Sequence, residues 1–162
     1  TSTFSALWIK AASKFENFGE DQHEFIKKTH YQVQLRMLED NGIDLSKRGP
    51  AVQDAIWSTS VQFGGRTSVI TKSLAGKDLD KMTDADIVTA IQDYKIRNND
   101  SLFKSSSSGV RASTLDRAKS EKKDLIALSK EQQEVTNIQD TKSIISGIAT
   151  IFDAIAIKGD NT

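Results

Sequence analysis

Apolar side chains recur at intervals of three and four along most of the chain, the spacing that gathers them on one face of an α-helix. With a single proline as well, this pattern predicts an all-α protein rather than a many-stranded sandwich or barrel. Phe4, Leu7, Trp8, Ala11, Ala12 and Phe15 form the stripe of a first helix that ends near Gly19. A second helix runs from about Glu20 to Asn41, with Phe25, Ile26, Tyr31, Val33, Leu35 and Leu38 inside it. Asn41-Gly42 is its left-handed stop, and a kink is expected between His30 and Gln34. Pro50 stands where a first helical residue would stand, and no breaker follows until Gly64-Gly65. That third helix carries Val52, Ala55, Ile56 and Thr59 in one line, with Trp57 and Val61 to the side. Being apolar around most of its circumference, it is expected at the centre of the fold.

Residues 66 to 75 predict a short helix closed by Gly76. Thr83 and Asp86 resemble a capping box that opens a helix carrying Ile87, Val88, Ile91 and Tyr94, with Lys95 and Arg97 at its negative end. The Ser-rich stretch 105–109 reads as a solvated loop or a mobile lip over a groove, and Ser113 or Thr114 as the cap of the helix after it. In that helix Leu115, Ala118, Leu125 and Leu128 form the buried stripe, and Arg117 and Glu121 stand one turn apart as a surface ion pair or a brace for a groove wall. A polar hinge from Lys130 to Asp140 then separates residues 1–130, one helical domain, from residues 131–162. The latter hold a strongly amphipathic helix with Ile144, Ile145, Ile148, Ile151, Phe152 and Ile155 on one face. Packing on its own domain is the first expectation for that helix. A coiled coil or docked partner is the second, and an in-plane membrane helix the third, disfavoured by a polar face poor in Lys and Arg.

Composition narrows the chemistry. Lys plus Arg and Asp plus Glu balance at 22 each, which leaves no basic field for nucleic acid. The chain has no Cys and only two His, His23 and His30, so neither a structural metal nor a Cys nucleophile is expected. No apolar run approaches the ~20 residues that span a bilayer. A phosphate-binding loop, a dinucleotide fingerprint, HExxH and GxSxG are all missing from the sequence, and no cofactor is expected. What remains is carboxylates, amides and aromatics, the residue types of carbohydrate sites. Gln53, Ser58, Thr59 and Gln62 place hydrogen-bonding groups on the most apolar helix, where burial is costly unless they find partners. They either tie neighbouring loops to the core or, with Trp57, face a saccharide groove; spacing leaves both open.

The stretch Val52-Gln53, Trp57-Ser58-Thr59, Val61-Gln62 and Gly64 resembles the VQxxxWSTxVQxG signature of lysozyme-like peptidoglycan hydrolases related to the family 46 chitosanases, carried by phage tail proteins and by type VI secretion spikes. Gln22, Phe25, Ile26, Thr29, His30 and Tyr31 resemble the QxxFIxxTHY element before it. The segments Thr83 to Val88 and Ile91 to Lys95, then Arg117, Glu121 and Leu125, follow in the same order. The likeness covers roughly residues 4–130. It implies a lysozyme-like helical domain around a buried central helix, delivered to the bacterial periplasm or carried on a virion, that hydrolyses the glycan strands of peptidoglycan. Other virion or spike proteins would be partners through the C-terminal helix. Gln22, Tyr31, Gln53, Trp57, Ser58 and Gln62 are the substrate-binding candidates it implies. Its catalytic acid and base belong to a Gly-rich lobe expected upstream of Thr1, so no catalytic residue is assigned within the chain. Phe63 stands where the signature has His, and the run Glu16, Glu20, Asp21, Glu24 reads as a solvated face. A structural or ejected virion protein, or a glycan-binding module that keeps the scaffold without catalysis, is the rival expectation.

Overall fold

In the computed structural model, residues 18–159 are described; the expected first stripe from Phe4 to Phe15 lies outside them. The described residues form helices and turns, with no strand among them. Helix α1 (Phe18–Ile26) leads through a five-residue π segment (Lys27–Tyr31) into α2 (Gln32–Asp40). Because the flanking residues keep right-handed helical torsions, the three pieces make one rod. Gly19 lies within α1, and the end expected for the first helix falls with residues outside those described. The irregularity expected between His30 and Gln34 is a π turn that starts three residues earlier, at Lys27, and closes within that stretch. The Gln32 N–H reaches back five residues to the Lys27 carbonyl, and the Thr29 hydroxyl donates to the Phe25 carbonyl at 2.8 Å. Asn41-Gly42 stops the rod as expected. Gly42 at φ 77° donates to the Glu39 carbonyl, and Ile43 to that of Leu38, a Schellman closure.

The π turn also explains Gly65. Its widened backbone sits so close to the loop after the third helix that a Cβ on Gly65 would stand 2.9 Å from the Thr29 and His30 carbonyl oxygens. Backbone cannot swing aside as a side-chain tip can. Gly65→Ala is therefore expected to destabilise the fold by about 1–3 kcal/mol through overpacking, read from the urea midpoint. An unchanged midpoint would show that the loop yields instead.

Helix α3 (Pro50–Phe63) starts and stops at the expected breakers. Gly49 precedes it in extended backbone, and Gly64 follows at φ 96° with its N–H on the Ser60 carbonyl. Ala51, Val52, Ala55, Ile56, Thr59 and Ser60 are buried, which places α3 in the middle. Around it lie the rod, α4 (Val69–Leu74), α5 (Asp84–Arg97) and the first half of the last helix. Leu38, Ile70, Leu74, Ile87, Val88, Ile91 and Leu125 complete the core. The capping box forms as the sequence predicts, with the Thr83 hydroxyl accepting from Asp86 N–H and the Asp86 carboxylate from Thr83 N–H. Those bonds hold the Asp86 carboxyl below the ordinary carboxylate range.

After the short α6 (Asn99–Leu102) comes α7 (Ser108–Gly159), a single 52-residue helix about 78 Å long at 1.5 Å per residue. Three expectations fail here. The helix is capped by Ser107, whose hydroxyl accepts from Val110 N–H, and not by Ser113 or Thr114, which lie inside it. Residues 130–140 continue the helix and form no hinge. The Ile-rich face does not fold back onto its own domain: Ile144 and Phe152 are 64% and 66% exposed. A helix that runs straight past the body carries its far face away from any core the body could offer.

Candidate functional site

The substrate-binding candidates fall where the rod crosses α3. Tyr31, at the end of the π turn, donates its hydroxyl to Gln53 Oε1 at 2.5 Å, and the Gln53 amide nitrogen donates to the Leu45 and Arg48 carbonyls at 2.7 and 3.1 Å. Every polar group of that amide is engaged, so Gln53 fastens the loop before α3 to the core and brings Tyr31 down onto it. Burial is the main cause, and Asp54 the second, that raise the Tyr31 hydroxyl above its ordinary pKa.

Trp57 is half-buried, not fully enclosed. Its ring stacks on His23 with centroids 4.6 Å apart and planes within 17°, and Tyr31 tilts against it at 5.5 Å. His23 is itself exposed on α1, so the three rings form a ledge open to solvent on the histidine side. The sequence does not single out His23, because its contact is to a ring 34 positions away on another helix, and no periodicity reports such a pairing. Gln62 is half-buried at the end of α3, and Gln22 is exposed on α1 beside His23. The Ser58 and Thr59 hydroxyls are buried with no hydrogen-bond partner among the described residues. Phe63, in place of the signature's His, packs against Phe103 at 5.4 Å and takes an apolar role.

The structure also moves the expected ion pair. Arg117 points to solvent, while Glu121 faces Lys95 at 4.0 Å across the contact between α5 and α7. Lys95 and Arg97 lie in the last turn of α5 as expected, but Lys95 is buried there and its ammonium makes no hydrogen bond. Burial pushes its ammonium down to about 8, opposed by Glu121 and assisted by Arg117. Beside it Lys122 and Asp93 make the shorter pair, 2.6 Å, at half-exposed positions. No group of three or more His, Cys, Asp or Glu among the described residues is arranged to hold a metal ion. Glu20, Asp21 and Glu24 lie exposed on α1 as a solvated face.

Residues 1–122 match the family described as type VI secretion system spike protein VgrG3-like, C-terminal. The chain belongs to that family. The type VI secretion system spike protein VgrG3 of Vibrio cholerae serotype O1 is 46% identical to it over 136 residues, which cover 83% of the chain and 13% of that relative. The chain thus spans about an eighth of the length of the curated relative it matches. Of the two carriers that the signature suggests, the secretion spike is the one this VgrG3-like family names. The family match contains the rod, α3, α4, α5 and the first turns of α7, hence the whole aromatic ledge, and ends before the exposed Ile-rich half of α7.

Proposed function

We propose that this VgrG3-like chain is the glycan-holding lobe of a peptidoglycan hydrolase delivered to the periplasm of a target bacterium by a secretion spike. The observation that carries the reading is the His23–Trp57–Tyr31 ledge, half-open on the element shared with the spike family. Flat aromatic faces cover the apolar side of a sugar ring, and Gln22, next to His23 in α1, and Gln62, on the same helix as Trp57, are the amides proposed for its hydroxyls. Asp44 and Asp86 are both held low by hydrogen bonds from neighbouring residues, the reverse of what a general acid needs. The acid and base of the reaction would come from sequence outside this span. The committed Gln53 amide favours a second reading at that one position, a core fastener without contact to substrate.

The test compares this chain with a version extended upstream in its gene, on purified peptidoglycan. Release of reducing ends by the longer protein and binding without release by the 162-residue chain are expected; turnover by the chain alone would overturn the division of labour. Within the chain, Trp57→Ala should weaken retention on insoluble peptidoglycan about tenfold while costing only about 1–2 kcal/mol of stability, because the ring is half-buried. Gln53→Ala should do the opposite, losing about 2 kcal/mol of stability as two loop carbonyls and Tyr31 lose their partner, with retention nearly unchanged. Retention that follows stability equally in both variants would reduce the ledge to packing.

A further inference from the structure

Beyond about residue 133, α7 leaves the body of the protein and every position to 159 is exposed. Ile144, Ile145, Ile148, Ile151, Phe152 and Ile155 line one face of this free half at 47% to 66% exposure. Together they present roughly 700 Å² of apolar surface, more than the largest patch of an ordinary monomer. At 3.6 residues per turn, Ile148 lies roughly 120° around the helix from the line of Ala118, Leu125 and Ser129 that seats α7 on its own domain. The face therefore looks away from the body and is open to something approaching from outside.

Three features identify the occupant. Ile138, Thr141, Ile145, Ile148, Phe152 and Ile155 recur at steps of three, four, three, four and three, the seam of a two-helix coiled coil. Asp140, Lys142, Asp153 and Lys158 balance in charge along the same stretch, so two identical helices do not repel as wholes. Upstream, the same seam continues into Glu134 and Glu131. A parallel pair would set each of those glutamates against its own copy at a seam position. An antiparallel pair sets Ile138 on Ile155, Thr141 on Phe152 and Ile145 on Ile148 of the other copy. It brings Glu134 beside Lys158 of the other helix, and Glu131 then falls past that helix's end. The two bodies come to lie at opposite ends, out of each other's way. We infer that the free half of α7 is a self-association surface, occupied by the same segment of a second copy in antiparallel orientation. Two such faces bury roughly 1,200 Å², the lower bound of specific interfaces.

The experiment uses the 162-residue chain, which contains no cysteine of its own. Light scattering should give the mass of two chains at micromolar concentration. Ile148→Asp should raise the dissociation constant at least ~100-fold while the melting curve of the body stays in place, since Ile148 lies in the stretch of α7 where every position is exposed. Orientation is read by mixing Ile138→Cys with a tagged Ile155→Cys under mild oxidation: antiparallel pairing links the two different chains, whereas parallel pairing links each to itself. A wild-type chain that stays monomeric to ~100 μM, self-links of either single-cysteine variant as the main product, or binding of the monomer to phosphatidylglycerol vesicles through the Ile face would each overturn the inference.

Discussion

Ile56→Ala is expected to lower the unfolding free energy by about 3–5 kcal/mol, the upper part of the range for deleting a buried branched side chain. Ile56 is fully enclosed at the middle of α3, and the rod, α4, α5 and α7 all pack around that helix. Each neighbour is held by its own attachments. Arg48 ties the loop before α3 to the Leu79 and Met82 carbonyls at 2.6 and 2.8 Å, and Gly49 N–H bonds the Asp84 carboxylate at 2.9 Å. Gly64 and Gly65 fix the other end against the π turn. With both ends of α3 anchored, the surrounding helices cannot close over the void, and most of the lost volume persists as a cavity. Urea unfolding measures the effect as a lowered midpoint at unchanged slope. Val61→Ala on the same helix, at an exposed position, should cost less than about 0.5 kcal/mol. A loss below about 1 kcal/mol at Ile56 would remove α3 from the centre of the fold.

The helix boundaries written by backbone chemistry were legible in the sequence. Pro50, Gly64, Asn41-Gly42, Gly76 and the Thr83–Asp86 box restrict torsions or satisfy terminal N–H groups locally, so they act where they stand whatever the tertiary context. The failures share another cause. Residues 130–140 lack apolar periodicity because α7 leaves the core there, with Gln132 the last half-buried position, and their Glu, Gln and Lys content sustains the helix without it. Loss of pattern there signals loss of packing, not loss of helix. The candidate site was half legible. Tyr31, Gln53 and Trp57 do meet, but no spacing reveals that Leu45 and Arg48 use up the Gln53 amide nitrogen, or that the exposed partner of Trp57 is His23. The same limit hid the Lys95–Glu121 pair: residues one helical turn apart declare themselves by spacing, whereas residues 26 apart on two helices do not.

That pair sets the pH response. Lys95 is buried between α5 and α7, its ammonium makes no hydrogen bond, and Glu121 at 4.0 Å is too distant to repay desolvation, so its pKa falls from 10.5 to about 8. The sign follows from proton counting. Below pH 8 both folded and unfolded chains hold the proton, and the folded state carries the full cost of a buried charge. Between about 8 and 10.5 the folded chain has released its proton while the unfolded chain keeps it, so stability rises with pH, by about 3 kcal/mol if the whole window were traversed. Tyr31 acts the other way, since its raised pKa lets the unfolded chain ionise first and lowers stability above pH 10. The clean interval is therefore pH 7.5 to 9.5, within which urea midpoints should climb by about 2 kcal/mol equivalent. Lys95→Met removes the buried charge and leaves Glu121 one turn from Arg117, which can take over as its partner. That variant should be about 1–3 kcal/mol more stable than the parent at pH 7 and flat over the interval, so that the two proteins converge as the pH rises. A parent whose midpoint stays level from pH 7.5 to 9.5, or a methionine variant less stable at pH 7, would mean that Lys95 reaches water or a closer anion and that the contact between α5 and α7 is looser than the packing described.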